Sequence, residues 1–145
     1  MAEEERADRV AEMLGLARQA MARAYAPYSR FAVGAVLRGA GGKLYAGCNV
    51  ENAAYPQGCC AEASAIAAMV MDGERRIMEV MVMGRGPGLI APCGGCRQRL
   101  REFAGDVVPI HLCDPGGVRR TMTLGELLPL AFGPDNLPAA EGEKP

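Results

Sequence analysis

Val10, Met13, Leu14, Ala17, Ala20, Met21 and Ala24 recur at helical spacing with charged residues between them, which predicts an amphipathic helix over residues 3–24. Pro27 stops it, and residues 25–29 read as a turn. Residues 31–37 and 43–48 are strand candidates, joined across the glycine-rich stretch 39–42 as a hairpin. After a loop over 49–59, small residues over 61–72 suit a helix that ends before Gly73. The apolar run 77–83 is short enough for a buried strand. A loop rich in glycine and proline over 84–92 leads into a helix over 94–104, ending before Gly105. A strand over 107–113 and a weaker one over 118–122 flank the turn at 114–117. Past Phe132 the composition shifts to Pro, Ala, Glu and Gly. The expected organisation is one domain over residues 1–133 and a disordered tail over 134–145.

Half of the 145 residues are apolar, enough for one well-filled core. Strand and helix patterns that alternate along the chain favour an α/β layered fold over a bundle or a sandwich. The formal charge of −1 provides no global field toward nucleic acid or an anionic membrane. The acidic start lacks the features of a secretory signal. The most apolar stretch, residues 63–71, is far shorter than the roughly 20 residues a membrane span needs. A soluble cytoplasmic protein with neither a nucleic-acid nor a membrane partner is expected.

That setting makes the six cysteines informative, because in a reducing compartment clustered thiols bind metal or do chemistry more often than they pair. Cys60-Ala61-Glu62 opens one predicted helix, and Pro92-Cys93-Gly94-Gly95-Cys96 opens another. A C-x-x-C at a helix start puts two sulfurs about one turn apart on one face. Helix N-termini favour the thiolate form that zinc requires. Cys60 adds a third sulfur, and three protein ligands leave a tetrahedral Zn²⁺ one open position, as in catalytic sites. Glu62 stands two residues beyond Cys60, where a carboxylate moves protons without being a ligand. C-x-E combined with P-C-x-x-C is the pattern of zinc deaminases. A structural zinc site would instead need a fourth ligand, from Cys59, Cys113, Cys48 or His111, and would leave Pro92 and Glu62 unexplained. His111 reads as a satisfied core or edge residue, Cys48 and Cys113 as small buried hydrophobes, and Cys59 as ambiguous.

At these residues the chain resembles the small homotetrameric cytidine deaminases. The resemblance runs over residues 25–29, 31–35, 47–53, 60–62, 92–98 and 128–132 in order. It implies a three-layer α/β/α fold around a mixed five-stranded sheet. It also implies one Zn²⁺ on Cys60, Cys93 and Cys96, and hydrolytic deamination of cytidine and deoxycytidine with Glu62 as proton carrier. Asn49 and Glu51 would hold the ribose 3′-hydroxyl, Phe31 would stack on the pyrimidine, and the Ala61 backbone N–H would reach the base carbonyl. Ala53, Tyr55 and Phe132 would reach into neighbouring subunits' sites in a tetramer, and the small residues of 61–72 would meet near its centre. Without the resemblance, Phe31 reads equally as core, Asn49 and Glu51 as loop residues, and Phe132 as packing under the tail. Many relatives carry Arg directly after Cys-Ala-Glu, where this chain has Ala63. Compensating positive charge is then expected from helix N-termini, backbone N–H groups or Arg97. Two other readings fit the same motifs: a deaminase of a related aminonucleoside such as blasticidin S, and a zinc-stabilised binding module without turnover.

Overall fold

The computed structural model describes residues 1–138. The chain runs α1 (Ala2–Ala22), β1 (Val33–Gly39), β2 (Leu44–Cys48), α2 (Ala61–Met71), β3 (Ile77–Gly84), α3 (Gly94–Arg101), β4 (Pro109–Asp114), β5 (Gly117–Thr123) and α4 (Leu124–Leu127). The five strands form one sheet in the order β2-β1-β3-β4-β5. The β3–β4 pair is parallel and the other three are antiparallel, so the sheet is mixed, as expected.

Alternation along the strands makes three layers. Ala35, Leu37, Val80, Val82, Ile110 and Leu112 face one way and pack with Ala65, Met69 and Leu100 of α2 and α3. Val36, Met81, Met83 and Cys113 face the other way and bury Met13 and Ala17 of α1. Two glycines set how closely the helices approach. A β-carbon on Gly34 would lie 2.4 Å from the Ala17 carbonyl oxygen in α1. One on Gly47 would lie 2.4 Å from the Ala65 nitrogen and 2.6 Å from the Ala61 oxygen in α2. Neither position can carry a side chain unless a helix moves.

Element ends differ from the sequence reading where backbone bonding competes with the helix. Beyond Ala22, Arg23 and Ala24 donate three residues back, and the Tyr25 N–H bonds to the Asn49 oxygen in the loop after β2. Likewise α3 stops at Arg101, with Phe103 bonded three residues back to Leu100. β1 starts at Val33, leaving Phe31 and Ala32 in the preceding loop. The sequence reading missed α4, although its capping box is explicit: Thr123 and Glu126 each cap the other's backbone N–H. Pro134–Asn136 forms a single tight turn, within the stretch expected to be a disordered tail. The rest of that expectation reaches residues 139–145, outside the described residues. No helix among the described residues is long and apolar enough to cross a membrane.

Under α1 lies a buried polar cluster. Glu79 is 1 % exposed and His111 2 %, and the His111 Nε2 is 2.6 Å from the Glu79 Oε2. The other ring nitrogen sits 2.8 Å from the Thr121 hydroxyl. Arg9 of α1 and Arg38 of β1 both donate to the Glu79 Oε1, at 2.7 and 2.9 Å. His111 is therefore the satisfied core residue expected, and the cluster ties α1 to four strands, β1, β3, β4 and β5. Burial alone would raise the Glu79 pKa. The hydrogen bonds from His111, Arg9 and Arg38 outweigh it and hold the group at about 2, against an ordinary 4.5. The folded state thus resists protonating Glu79. Its stabilisation is complete above the ordinary range and is lost as pH falls from there toward 2. Glu79→Gln should lower the thermal midpoint clearly at pH 7, by a margin that shrinks at about pH 3, where the wild type also begins to lose the charge. Melting curves of both proteins at the two pH values test this, and a margin that stays constant would count against it.

Candidate active site

Both cysteine motifs fold as helix starts. Cys60 is the N-cap of α2 and Cys93 the N-cap of α3, each with extended backbone. Polar side chains with an acceptor oxygen normally hold this position, facing the free N–H groups of the first turn. Here sulfur stands there instead. Cys96, inside the first turn of α3, is completely buried.

The sulfurs of Cys60, Cys93 and Cys96 all lie within 4.8 Å of one another. Zinc at about 2.3 Å from each sulfur would set tetrahedral sulfurs roughly 3.8 Å apart, a separation that falls inside that limit. No fourth His, Cys, Asp or Glu joins the group among the described residues. The alternatives for a closed site are placed elsewhere. His111 is engaged by Glu79 and Thr121, Cys113 is buried on the α1 face, and the Cys48 thiol points to the Arg23 carbonyl. The Cys59 thiol turns back to the Cys60 carbonyl oxygen. All six cysteines are free thiols. The donor set therefore fits a thiolate-bound Zn²⁺ with one position left for another ligand.

Electrostatics divide the three thiols. Burial pushes Cys60 and Cys96 up. The Cys96 backbone N–H, free at the start of α3, draws Cys93 down. Glu62 is 4 % exposed, and burial lifts its carboxyl above the ordinary range while its own N–H, Cys96 and Arg99 pull the other way. Arg97, one of the three expected sources of compensating charge, is engaged elsewhere. It donates to the Pro92 and Leu127 carbonyls at 2.7 and 2.8 Å, fixing the loop before α3 to the end of α4. Arg99 reaches the sulfurs instead, its Nη1 3.7 Å from the Cys96 Sγ. The sequence held a signal for this: residues 96 and 99 share a face of α3, whereas 97 does not.

Glu62, Cys60 and Cys93 line a cleft of about 280 Å³, together with Phe31, Asn49, Ala61, Val33, Val82 and Ile90. It opens where the first residue of β1 pairs with the last of β3, Val33 with Gly84. A β-carbon on Gly84 would lie 3.2 Å from Ile90 and 3.3 Å from the Phe31 ring, so the glycine makes room for this apolar wall. Asn49 is anchored at both ends, donating to the Phe31 oxygen at 2.7 Å and accepting from the Val33 N–H at 2.9 Å. Arg30 has a φ of 61°, a left-handed conformation costly for a residue with a side chain. It lies between Ser29 and Phe31, both in the wall of the cleft.

Ser29 also borders a second hollow of about 380 Å³, with Tyr28, Glu51, Asn52, Tyr55 and Gly58. There the Glu51 carboxylate accepts from the Tyr28 and Ser29 N–H groups at 2.9 and 3.0 Å and from the Ser29 hydroxyl. The Ser29 hydroxyl leads in holding it below the usual carboxylate range. The expected site residues thus fall into three groups. Phe31, Asn49, Ala61 and Glu62 meet the sulfurs in the cleft, and Glu51 and Tyr55 line the adjoining hollow. Ala53 and Phe132 border neither. Both are exposed, and the Phe132 carbonyl accepts from Gln98. Sequence reasoning missed Ser29, Ile90 and Arg99.

Known proteins resemble this chain in sequence and in fold. The family model described as the cytidine and deoxycytidylate deaminase zinc-binding region matches residues 8–112. A cytidine deaminase of Sporosarcina psychrophila is 38 % identical over 128 residues, covering 88 % of this chain and 94 % of that one. One of Mycobacterium tuberculosis is 44 % identical over 124 residues, covering 86 % and 90 %. The crystal structure of a cytidine deaminase from Burkholderia pseudomallei superposes with a TM-score of 0.79 at 41 % identity, covering 83 % of this chain and 97 % of that one. Sequence and fold agree that the chain belongs to the cytidine deaminase family.

Proposed function

We propose that this chain hydrolyses the 4-amino group from cytidine and deoxycytidine, releasing ammonia and leaving uridine and deoxyuridine. The observation that carries this reading is a buried carboxyl, Glu62, on the floor of an apolar cleft beside three convergent sulfurs. Cys60, Cys93 and Cys96 would hold Zn²⁺, which when bound supplies the Lewis acidity that lets water ionise near neutral pH.

Glu62 takes the proton that water gives up and delivers it to N3 of the base as oxygen bonds to C4. It then takes the remaining proton from the new C4 hydroxyl and passes it to the 4-amino nitrogen, so that the C4–N bond breaks as the C4 carbonyl forms and ammonia leaves. Phe31 stacks on the pyrimidine from the cleft wall. The Ala61 N–H, first in α2 and without an acceptor inside the helix, reaches the base carbonyl. Asn49 and Glu51 take the ribose 3′-hydroxyl, using acceptor capacity left beyond their present bonds. Their anchorage to backbone supports this role, because it fixes them before substrate arrives.

Residues 1–133 act as one catalytic domain within a homotetramer, in which Ala53, Tyr55 and Phe132 reach neighbouring sites. Support comes from exposure: Tyr55 is 75 % exposed and Phe132 58 %, and α2 presents Ala67, Ala68, Val70 and Met71 outward. Six free thiols suit a reducing cytoplasm.

Purified protein should release ammonia from cytidine, and Glu62→Gln should lose at least about 100-fold in kcat while keeping one zinc per chain. No turnover by zinc-replete wild type would reject the reaction, and an active Glu62→Gln would reject the role of Glu62. Light scattering at micromolar concentration should give four times the 15.3 kDa chain mass. A monomer with full activity would remove the shared-site reading.

A further inference from the structure

Loading the three-sulfur site changes its charge. Three thiols are neutral together, whereas three thiolates with Zn²⁺ sum to −1. A fixed cation beside the sulfurs favours the loaded state, and most where water is excluded. The Cys96 sulfur is such a place, since that residue is completely buried.

Arg99 is built to serve it. It lies one turn beyond Cys96 on the same face of α3, and its Nη1 lies 3.7 Å from the Cys96 Sγ. Gly95 leaves the passage open. A β-carbon there would sit 3.2 Å from that Nη1 and 3.9 Å from the Cys93 Sγ, so the guanidinium lies over a slot that a larger residue would crowd. The other nearby arginine is committed elsewhere, with Arg97 spanning Pro92 and Leu127. Among the described residues Arg99 has no comparable carbonyl or carboxylate contact to explain its placement.

We infer that Arg99 is the counter-charge of the thiolate set, a positioning residue that acts through Cys96 to retain the metal. The inference rests on the zinc-site reading above. Groups that hydrogen-bond to metal ligands typically contribute 10- to 100-fold in metal affinity or activity. The outer side of Arg99 is exposed, so the lower end applies here.

The test compares wild type, Arg99→Met and Arg99→Lys, each zinc-loaded, with transfer of zinc to an excess of a chromophoric chelator as the readout. Arg99→Met keeps much of the apolar stem and should release zinc about tenfold faster, whereas Arg99→Lys should stay near wild type. Raising the salt should speed release from wild type and leave Arg99→Met nearly unchanged, because only the former has a charge contact to screen. In cobalt-substituted protein the sulfur-to-metal charge-transfer band should shift in Arg99→Met and return in Arg99→Lys. Equal release from wild type and Arg99→Met would overturn the inference. So would an Arg99→Lys variant as fast as Arg99→Met, which would make the contribution one of shape and not of charge. A wild type that binds no zinc would instead overturn the site reading itself, and zinc content measured at the start separates that failure from the other.

Discussion

The site depends on how close α2 lies to the sheet. With no side chain at Gly47, the first turns of α2 sit directly over β2, near enough that a β-carbon would meet the backbone at Ala61 and Ala65. That separation fixes the N-terminus of α2, and with it Cys60, Ala61 and Glu62. Metal–sulfur bonding tolerates errors of only a few tenths of an ångström. A helix displaced by the volume of one methyl group would carry Cys60 out of reach of Cys93 and Cys96.

From that constraint the chemistry follows by a change of cap. A helix start offers free N–H groups and a positive potential, and most proteins spend it on an oxygen from Ser, Asp or Asn. This chain places cysteine at both N-caps. Neither helix gains an oxygen cap, and in α3 the free Cys96 N–H turns to the Cys93 sulfur. The Cys96 N–H lowers the Cys93 thiol, while burial raises Cys60 and Cys96. A dication is the partner that lets all three ionise in so small a space. Local helix stability is given up for a metal set on two rigid elements that share one core, with Ala61, Ala65 and Leu100 all inside it.

Much of this was legible in the sequence because the signals were local. Helical periodicity, apolar runs and glycine or proline breaks identified the five described strands and the three longer helices, and the cysteine spacings picked out the three sulfurs that converge. What escaped depends on contacts between distant segments. The end of α1 is set by bonding of Tyr25 to the loop at Asn49 and Glu51, which no window around residue 25 reveals. The choice of Arg99 over Arg97 turns on which side of α3 meets the sulfurs, and on the Pro92 and Leu127 carbonyls that occupy the other arginine. Ser29 escaped for the same reason. Its hydroxyl binds a carboxylate 22 residues away. By contrast α4 was missed despite a local Thr123–Glu126 signal, since four residues carry too little periodicity to register.

Two buried glutamates show why residue type and burial alone do not identify chemistry. Glu79 and Glu62 are nearly equally hidden, at 1 and 4 % exposed. Glu79 is surrounded by two guanidinium groups and an imidazole, each on a fixed hydrogen bond, and its proton is out of reach near neutral pH. Such a carboxylate holds structure and exchanges nothing. Glu62 has no dedicated cation: it adjoins a thiol and its own N–H, with the Arg99 charge only a minor influence, and burial prevails in the opposite direction. Among the described residues no fixed ion pair stabilises its charge, and the cleft brings it to the sulfurs instead. A carboxyl poised to gain and lose a proton must be denied the partners that make Glu79 inert. The sheet separates the two environments, with the ion-pair cluster on the α1 side and Glu62 on the α2 side.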